Sequence, residues 1–552
     1  MSASTKKQLR KELNAAAMTE KQQQEQKEAK KLRLYTGLFG LAIAVMILVV
    51  LASRVISSGF IPRSTTALTV DGTKVSAAEL NHYYVDSING FLQNYGDYVS
   101  LFGLDPSKPL DDQFYDEEKT QTWADYFVEQ AAASAKNMYA IYNAAKAEGY
   151  TLSDEAKASI DASVQNFGMY ATLYGFGSAD AYIGAMYGEG CNEKTFRDYA
   201  EVQMIASEYA ADKNESLVYD DAAIRAEDDK DPSVYSAYTY NYYYLANSSF
   251  YEGGTEDENG NKTYSDAEKE AGRAAAEAAA NSLLTATSVE ELDAAIAALV
   301  VNTETTNAPK STRRENYQYA NLESLLREWI TGERTEGDMV VIPNESTTHD
   351  HEDGEECTGE NDTKTVNGYY VVRFESENKN ETELVNVRHI LVSFEGGKTD
   401  EKTGTVTYTD AEKLAAKNAA EALLKAFTEG EATEEAFAAL ATKNTTDTGS
   451  KENGGLYEKV YPGQMVTNFN DWCFDSARKS GDTGIVESEF GYHVMYFVDK
   501  AGVTYRDFMI ESTLRNNDLT AWENGLVEAA ELTLSNTKYV NTELILSPAN
   551  SK

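Results

Sequence analysis

The sequence predicts an α+β chain: a mainly helical domain, two inserted copies of a module made of a small antiparallel sheet plus helices, and one N-terminal transmembrane helix. Three observations carry this. Residues 34–53, LYTGLFGLAIAVMILVVLAS, run without a charge between Arg33 and Arg54. Residues 116–230 place apolar side chains mainly at helical spacing. YSDAEKEAGRAAAEA at 264–278 returns as YTDAEKLAAKNAAEA at 408–422, with ten of fifteen residues identical at an offset of 144.

The first 34 residues carry nine Lys/Arg against four Glu, a balance of +5, so the rest of a chain of net charge −41 sums to −46. Twenty apolar residues at about 1.5 Å each span a hydrocarbon layer roughly 30 Å thick. The basic segment 1–33 is therefore expected in the cytoplasm, 34–54 in the membrane and everything after it outside. The alternative is a cleaved signal peptide; the long basic region and the lack of a clear A-x-A site favour a retained anchor. An acidic body argues against nucleic acid as a partner. Cys191, Cys357 and Cys473 are odd in number and far apart, so no disulfide framework is expected.

Residues 66–235 read as the helical domain. TALTVDGTKVSAAEL opens it with a strand, an Asp71-Gly72 turn and a helix capped by Ser76, with Glu79 three residues on. Three longer helices follow, one of them capped by Ser153, and their Tyr and Phe stripes read as core. At Ser236 the texture changes to the β-prone YTYNYYYLA.

Here the repeat sets the organisation. Phe250 pairs with Phe394, and Gly337-Asp338 with Gly481-Asp482, at the same offset of 144. Between NGYYVVRF (Tyr370) and FGYHVMYF (His493) the offset falls to 123, and the difference of 21 is the length of the acidic insert at 344–364, NESTTHDHEDGEECTGENDTK. The first copy covers 236–378 and the second 385–500, each ordered strand, long helix, shorter helix, loop, strand; 501–548 is a C-terminal helical segment with a short apolar tail. The insert offers His349, His351, Cys357 and several carboxylates, but in no standard metal-site spacing, so a solvated loop is expected and no metal.

NVRHILVSF puts His389 near the start of a strand, and His493 sits in the last strand of the same copy. If those strands are neighbours, the two imidazoles can share a hydrogen bond that fixes both tautomers; the alternative is a pair of satisfied core histidines. RHILV, EEAFAALATKNTTD, ENGGL, PGQMVTNFNDWCF and SGDTGIVESEFGYHV stand in order over about 385–500, and together they resemble the parvulin family of peptidyl-prolyl isomerases. The resemblance implies a histidine pair, His389 and His493, at the floor of the site, and Asp447 facing the carbonyl that precedes the proline. It further implies an apolar proline pocket of Leu456, Met465 and Phe469 supported by Phe474, with Ser488 at a position often held by Thr. GGLYE replaces the commoner GGDLG after the glycine pair, which leaves Leu456 the weakest of these assignments.

In the first copy His389 aligns with the YNYYY run, at Tyr243, and His493 with Tyr370; Gly454-Gly455 and the Met465/Phe469 pair have no counterparts. That copy is expected to keep the skeleton and lack the site. The helical domain and C-terminal segment resemble, more weakly, the chaperone domain of the membrane-associated foldases of Gram-positive bacteria and their periplasmic relatives, where the C-terminal segment folds back onto the N-terminal lobe.

The expectation is an extracytoplasmic folding factor that isomerises X-Pro bonds. Turning such a bond, against a barrier of about 18–20 kcal/mol, breaks nothing, so it needs no metal, cofactor or strong nucleophile. Expected partners are unfolded or newly exported proline-containing polypeptides and the membrane through residues 34–54, with a homodimer left open. The alternatives are a non-catalytic holdase and a structural surface protein with vestigial isomerase modules.

Overall fold

The computed structural model describes residues 3–11, 46, 58–116, 118–258, 260–299, 310–348 and 363–540. The apolar run 34–54, apart from Met46, and residues 349–362 of the acidic insert lie outside them. Among the described residues no helix is long and apolar enough to cross a membrane, so the expected transmembrane helix has no counterpart there. The chain divides into two compact units, residues 1–218 with 515–552, and residues 219–514.

In the first unit, β1 (Thr66–Val70) and β2 (Thr73–Ser76) form a hairpin. Asp71 at φ 49° and Gly72 at φ 78° supply the left-handed pair that such a two-residue turn requires. The turn leads not directly into a helix, as the sequence pattern predicts, but into β2 and then α1 (Ala77–Tyr95), whose N-cap Ser76 accepts the Glu79 N–H. Next come α2 (Trp123–Ala147), α3 (Asp154–Leu173), α4 (Ala179–Tyr187) and α5 (Glu193–Ser216). Thr122–Asp125 closes a capping box on α2, and Ser153 caps α3. Tyr83, Tyr84, Trp123 and Phe127 are buried at the centre of one apolar cluster.

The second unit carries the repeat as structure. The first module contains β3 (Ala237–Ala246), α6 (Asp266–Leu283), α7 (Val289–Ala298), β4 (Thr312–Gln318), α8 (Ser324–Ile330), β5 (Met339–Thr348) and β6 (Thr363–Asn378). The second contains β7 (Glu383–Ser393), α9 (Asp410–Thr428), α10 (Glu434–Asn444), β8 (Leu456–Val460), α11 (Thr467–Cys473), β9 (Thr483–Glu487) and β10 (Gly491–Thr504). Their antiparallel sheets have matching orders, β4-β3-β6-β5 and β8-β7-β10-β9. Each long helix starts on a capping box, Ser265 with Glu268 and Thr409 with Glu412. In each box the glutamate also accepts a loop N–H, from Gly254 or Gly397. The termini of the acidic insert are not loop: Glu345–Thr348 pairs with Thr363–Val366, which lengthens the β5-β6 hairpin.

The second unit begins earlier than the sequence suggested, at Tyr219. Within this unit Arg506, at the start of α12 (Tyr505–Ala529), binds both carboxylate oxygens of Asp228, the Pro232 carbonyl and the Lys379 carbonyl through its guanidinium. That ties residues 228–232 to the modules.

After α12, β11 (Leu532–Leu534) returns to pair with β1: Leu68 opposes Leu534 and Val70 opposes Leu532. Backbone bonds from Asp71 to Glu531 and from Ser535 to Ala67 bracket this pairing. Truncation after Ala530 should therefore lower the stability of the first unit by a few kcal/mol and open amide exchange at residues 67–70, read by hydrogen–deuterium exchange; unchanged protection there would refute the structural role of β11.

Candidate active site

Strand register brings the two histidines together. His493 of β10 lies opposite Leu391 of β7, and Met495 opposite His389, so the imidazoles occupy diagonal positions on one face of the sheet. Their Nδ1 atoms are 3.0 Å apart and their rings stack at 5.2 Å. His389 Nε2 lies 2.8 Å from Asp447 Oδ2, and His493 Nε2 lies 2.7 Å from Ser488 Oγ.

These contacts fix where the protons are. Burial keeps both imidazoles neutral, with one ring hydrogen each; an ionised carboxylate only accepts, so His389 Nε2 carries that hydrogen and its Nδ1 is a bare acceptor. His493 Nδ1 must then donate, its Nε2 accepts, and the Ser488 hydroxyl supplies that hydrogen. The chain runs one way, from Ser488 through His493 and His389 to Asp447, with both imidazoles neutral. Burial lowers the pKa of both rings; His493, further depressed by neighbouring His389, sits at about 4.

Asp447 is held ionised. Half-burial would raise its pKa, but hydrogen bonds from Ser450, His389 and Tyr457, with the Gly449 N–H, overcome this and hold it at about 2. Tyr457 Oη lies 3.0 Å from Oδ2, and the Gly449 N–H reaches Oδ1 at 3.1 Å. Ser450 is fully buried beneath the carboxylate.

The cavity beside this chain has a volume of about 340 Å³ and is lined by His389, Asp447, His493, Met465 and Phe469 from the expected set, together with Leu391, Tyr457, Gln464, Val466 and Phe490. Phe469, from α11, stands edge-on to both imidazoles at 5.5 and 5.3 Å. Phe474 lies outside the lining and packs with Phe469, Cys473 and Met495 in the core beneath it. Ser488 also lies outside the lining and reaches the site through His493.

Leu456 does not reach the cavity. It pairs with Arg388, whereas Tyr457 pairs with Val387, and directly opposed residues share a face. Val387 faces the core under the site, so Tyr457 forms the wall and Leu456 turns away. Tyr457 is placed by the β8–β7 register, which the sequence does not report; Ser450, Gln464 and Phe490 carried no separate signal. Gly455 is required here: its φ is +74°, and a Cβ on it would stand 2.2 Å from the His389 carbonyl oxygen.

The first module lacks all of this. Tyr370 opposes Tyr244, as His493 opposes Leu391, so the counterpart of His389 is Tyr242 and not Tyr243, which packs against α6 and α7 on the opposite face. Arg314 takes the ladder position of Tyr457. Its guanidinium donates to the Tyr242 hydroxyl at 3.1 Å, lies 5.1 Å from the Tyr317 ring centre and pairs with Glu323. Buried Leu322 and Leu326 stand where the second module has Met465 and Phe469. Cys191 and Cys473 are buried free thiols, and among the described residues no group of His, Cys, Asp and Glu could hold a metal ion.

A folded-state value of about 2 against roughly 3.9 unfolded means Asp447 stabilises the module above pH 4, and this is lost as pH falls toward 2. Tyr457→Phe removes one donor, so NMR titration of the Asp447 carboxyl should find its pKa raised toward 3.9; an unchanged value would show that the hydroxyl does not hold the charge.

Residues 369–501 match the PPIC-type PPIase domain family. Foldase protein PrsA 1 of Listeria innocua is 32% identical over 111 residues, which are 19% of this chain and 38% of the relative. The chaperone SurA of Chromohalobacter salexigens is 31% identical over 147 residues, 25% of this chain and 29% of the relative. A crystal structure of PrsA from Bacillus subtilis aligns over 77% of this chain and 91% of that one, at 14% identity and a TM-score of 0.25. The chain thus spans less than half the length of these two sequence relatives. Within that span the second module is a parvulin-type peptidyl-prolyl isomerase domain, in a chain similar to the PrsA and SurA foldases.

Proposed function

We propose that this protein is a membrane-anchored, extracytoplasmic foldase whose second module catalyses cis–trans isomerisation of X-Pro bonds in exported polypeptides. The observation that carries the reading is the neutral His389–His493 pair, flanked by ionised Asp447, at the wall of an apolar cavity.

The chemistry suits rotation about an amide. The planar ground state is charge-separated, with a partial negative charge on the carbonyl oxygen and double-bond character in C–N, and the twisted form loses both. Met465, Val466 and Phe469 grip the pyrrolidine ring in a water-poor pocket that disfavours the planar form. Asp447 faces the carbonyl that precedes the proline and repels its partial negative charge, which further weakens the resonance. The histidine pair moves no proton; it holds Asp447 and Phe469 in register, and Ser488 holds His493. The first module, with tyrosines at both histidine positions, serves binding or spacing.

A holding role in the first unit is favoured by its exposed apolar side chains, among them Leu101 at 79%, Leu173 at 70% and Tyr174 at 65% exposure. Client polypeptides fit such a surface, as the PrsA and SurA names of its relatives suggest.

His493→Tyr in the full chain should retain the fold, as Tyr370 does in the first module, and lower kcat/KM for a proline tetrapeptide at least tenfold; Tyr370→Phe should change nothing. Full activity in His493→Tyr would place catalysis elsewhere. For topology, protease added to intact spheroplasts should digest the body and spare residues 1–33; a mature protein free in the medium would overturn the anchor.

A further inference from the structure

We propose that the second module selects among X-Pro bonds by charge, favouring those preceded by Lys or Arg over those preceded by an acidic residue, with Asp447 as the fixed charge and Tyr457 as the residue that positions it. This rests on the reading of the module as an X-Pro isomerase.

The cavity lining contains one ionised group. Its histidines are buried, neutral and bonded to each other, and no lysine or arginine is among its residues. The two cations of the adjacent strands β7 and β8 are committed elsewhere: Arg388 turns away to Glu434 and the Asn453 and Gly454 carbonyls, and the Lys459 ammonium lies over the Phe508 ring. Every donor to Asp447 is itself neutral, so the carboxylate is oriented without being neutralised. Around it, residues 383–504 carry twelve Lys/Arg against twenty Asp/Glu, a net −8 of the same sign.

Tyr457 makes this charge part of the pocket wall. Its ring lies 5.3 Å from that of His389 and lines the cavity, as an apolar side chain would, while its hydroxyl fastens Asp447 Oδ2. A pocket that needed only to grip a proline ring would have no use for that hydroxyl. With Oδ2 anchored by three side chains, Oδ1 keeps one backbone donor and stays open to an incoming cation. A side chain before the proline reaches this oxygen, where a lysine is attracted and a glutamate repelled with little intervening water.

The test is proline-isomerisation kinetics of the full chain on three tetrapeptides that differ only in Lys, Leu or Glu before the proline. At low ionic strength kcat/KM should fall in that order, with Lys over Glu by about tenfold, and the ratio should shrink toward one as salt is raised. Asp447→Asn should bring the ratio close to one whatever activity remains; should it be too slow to read, the salt series on the wild-type chain decides. Tyr457→Phe should raise KM for the Lys peptide severalfold at nearly constant kcat, a split that general loss of folded protein would not produce. No activity on any peptide would overturn the isomerase reading itself. Equal rates on all three, a salt-independent ratio, or a ratio retained in Asp447→Asn would overturn the charge selection alone. Wild-type KM values in Tyr457→Phe would remove Tyr457 from it.

Discussion

The hydrogen bond between the Nδ1 atoms of His389 and His493 constrains the whole site. Two imidazoles facing each other through like atoms cannot both be protonated there, so one accepts, and each remaining ring nitrogen takes the opposite role. The bond also demands a register: only with Leu391 opposite His493 do the rings meet on one face of the β7–β10 ladder. From that follow the placement of Asp447 beyond one ring and Ser488 beyond the other, and the edge-on packing of Phe469 on both. Each imidazole is nearly fully buried, a cost that the complete set of partners offsets.

The paired modules show how such a site is dismantled without loss of the scaffold. Gly337 and Gly481 donate to the carbonyls of Phe374 and Phe497, and the two phenylalanines donate back to Asp338 and Asp482 in each module. Trp329 and Trp472 each sit under an arginine, Arg334 or Arg478. What changes is the interior of the sheet face. Large hydroxylated rings replace the imidazoles, Arg314 and Glu323 bind among them, and two leucines close the floor where Met465 and Phe469 line a cavity. The tyrosines are thus one part of a repacked face and not isolated losses.

Much of this was legible in sequence because it is written locally. Capping residues Ser76 and Ser153 announce helix starts by side-chain chemistry within four residues, and the 144-residue offset exposes the duplicated module without reference to fold. The errors fall where an argument depends on which face a strand residue occupies. Leu456 against Tyr457 and Tyr243 against Tyr242 are both displacements of one residue, and in a strand one residue is the full distance from pocket to opposite surface. The three-donor clamp on Asp447 draws on two strands and a loop, so no local pattern reports it. The pairing of β11 with β1, like the hold of Arg506 on Asp228, joins segments hundreds of residues apart and leaves no periodicity to read.

The strand β1 has one edge on β2, three residues downstream, and the other on β11, 460 residues later where Asp71 meets Glu531. A chain that emerges N-terminus first therefore presents Leu68 and Val70 on an open sheet edge until residues 532–534 have emerged, whereas residues 219–514 form one contiguous compact unit. The contiguous unit can thus close before the discontinuous one, whose first strand waits for a partner that leaves the ribosome after the whole of residues 219–514. During that interval the nascent protein is itself a substrate for aggregation, with the β1 edge as its vulnerable point.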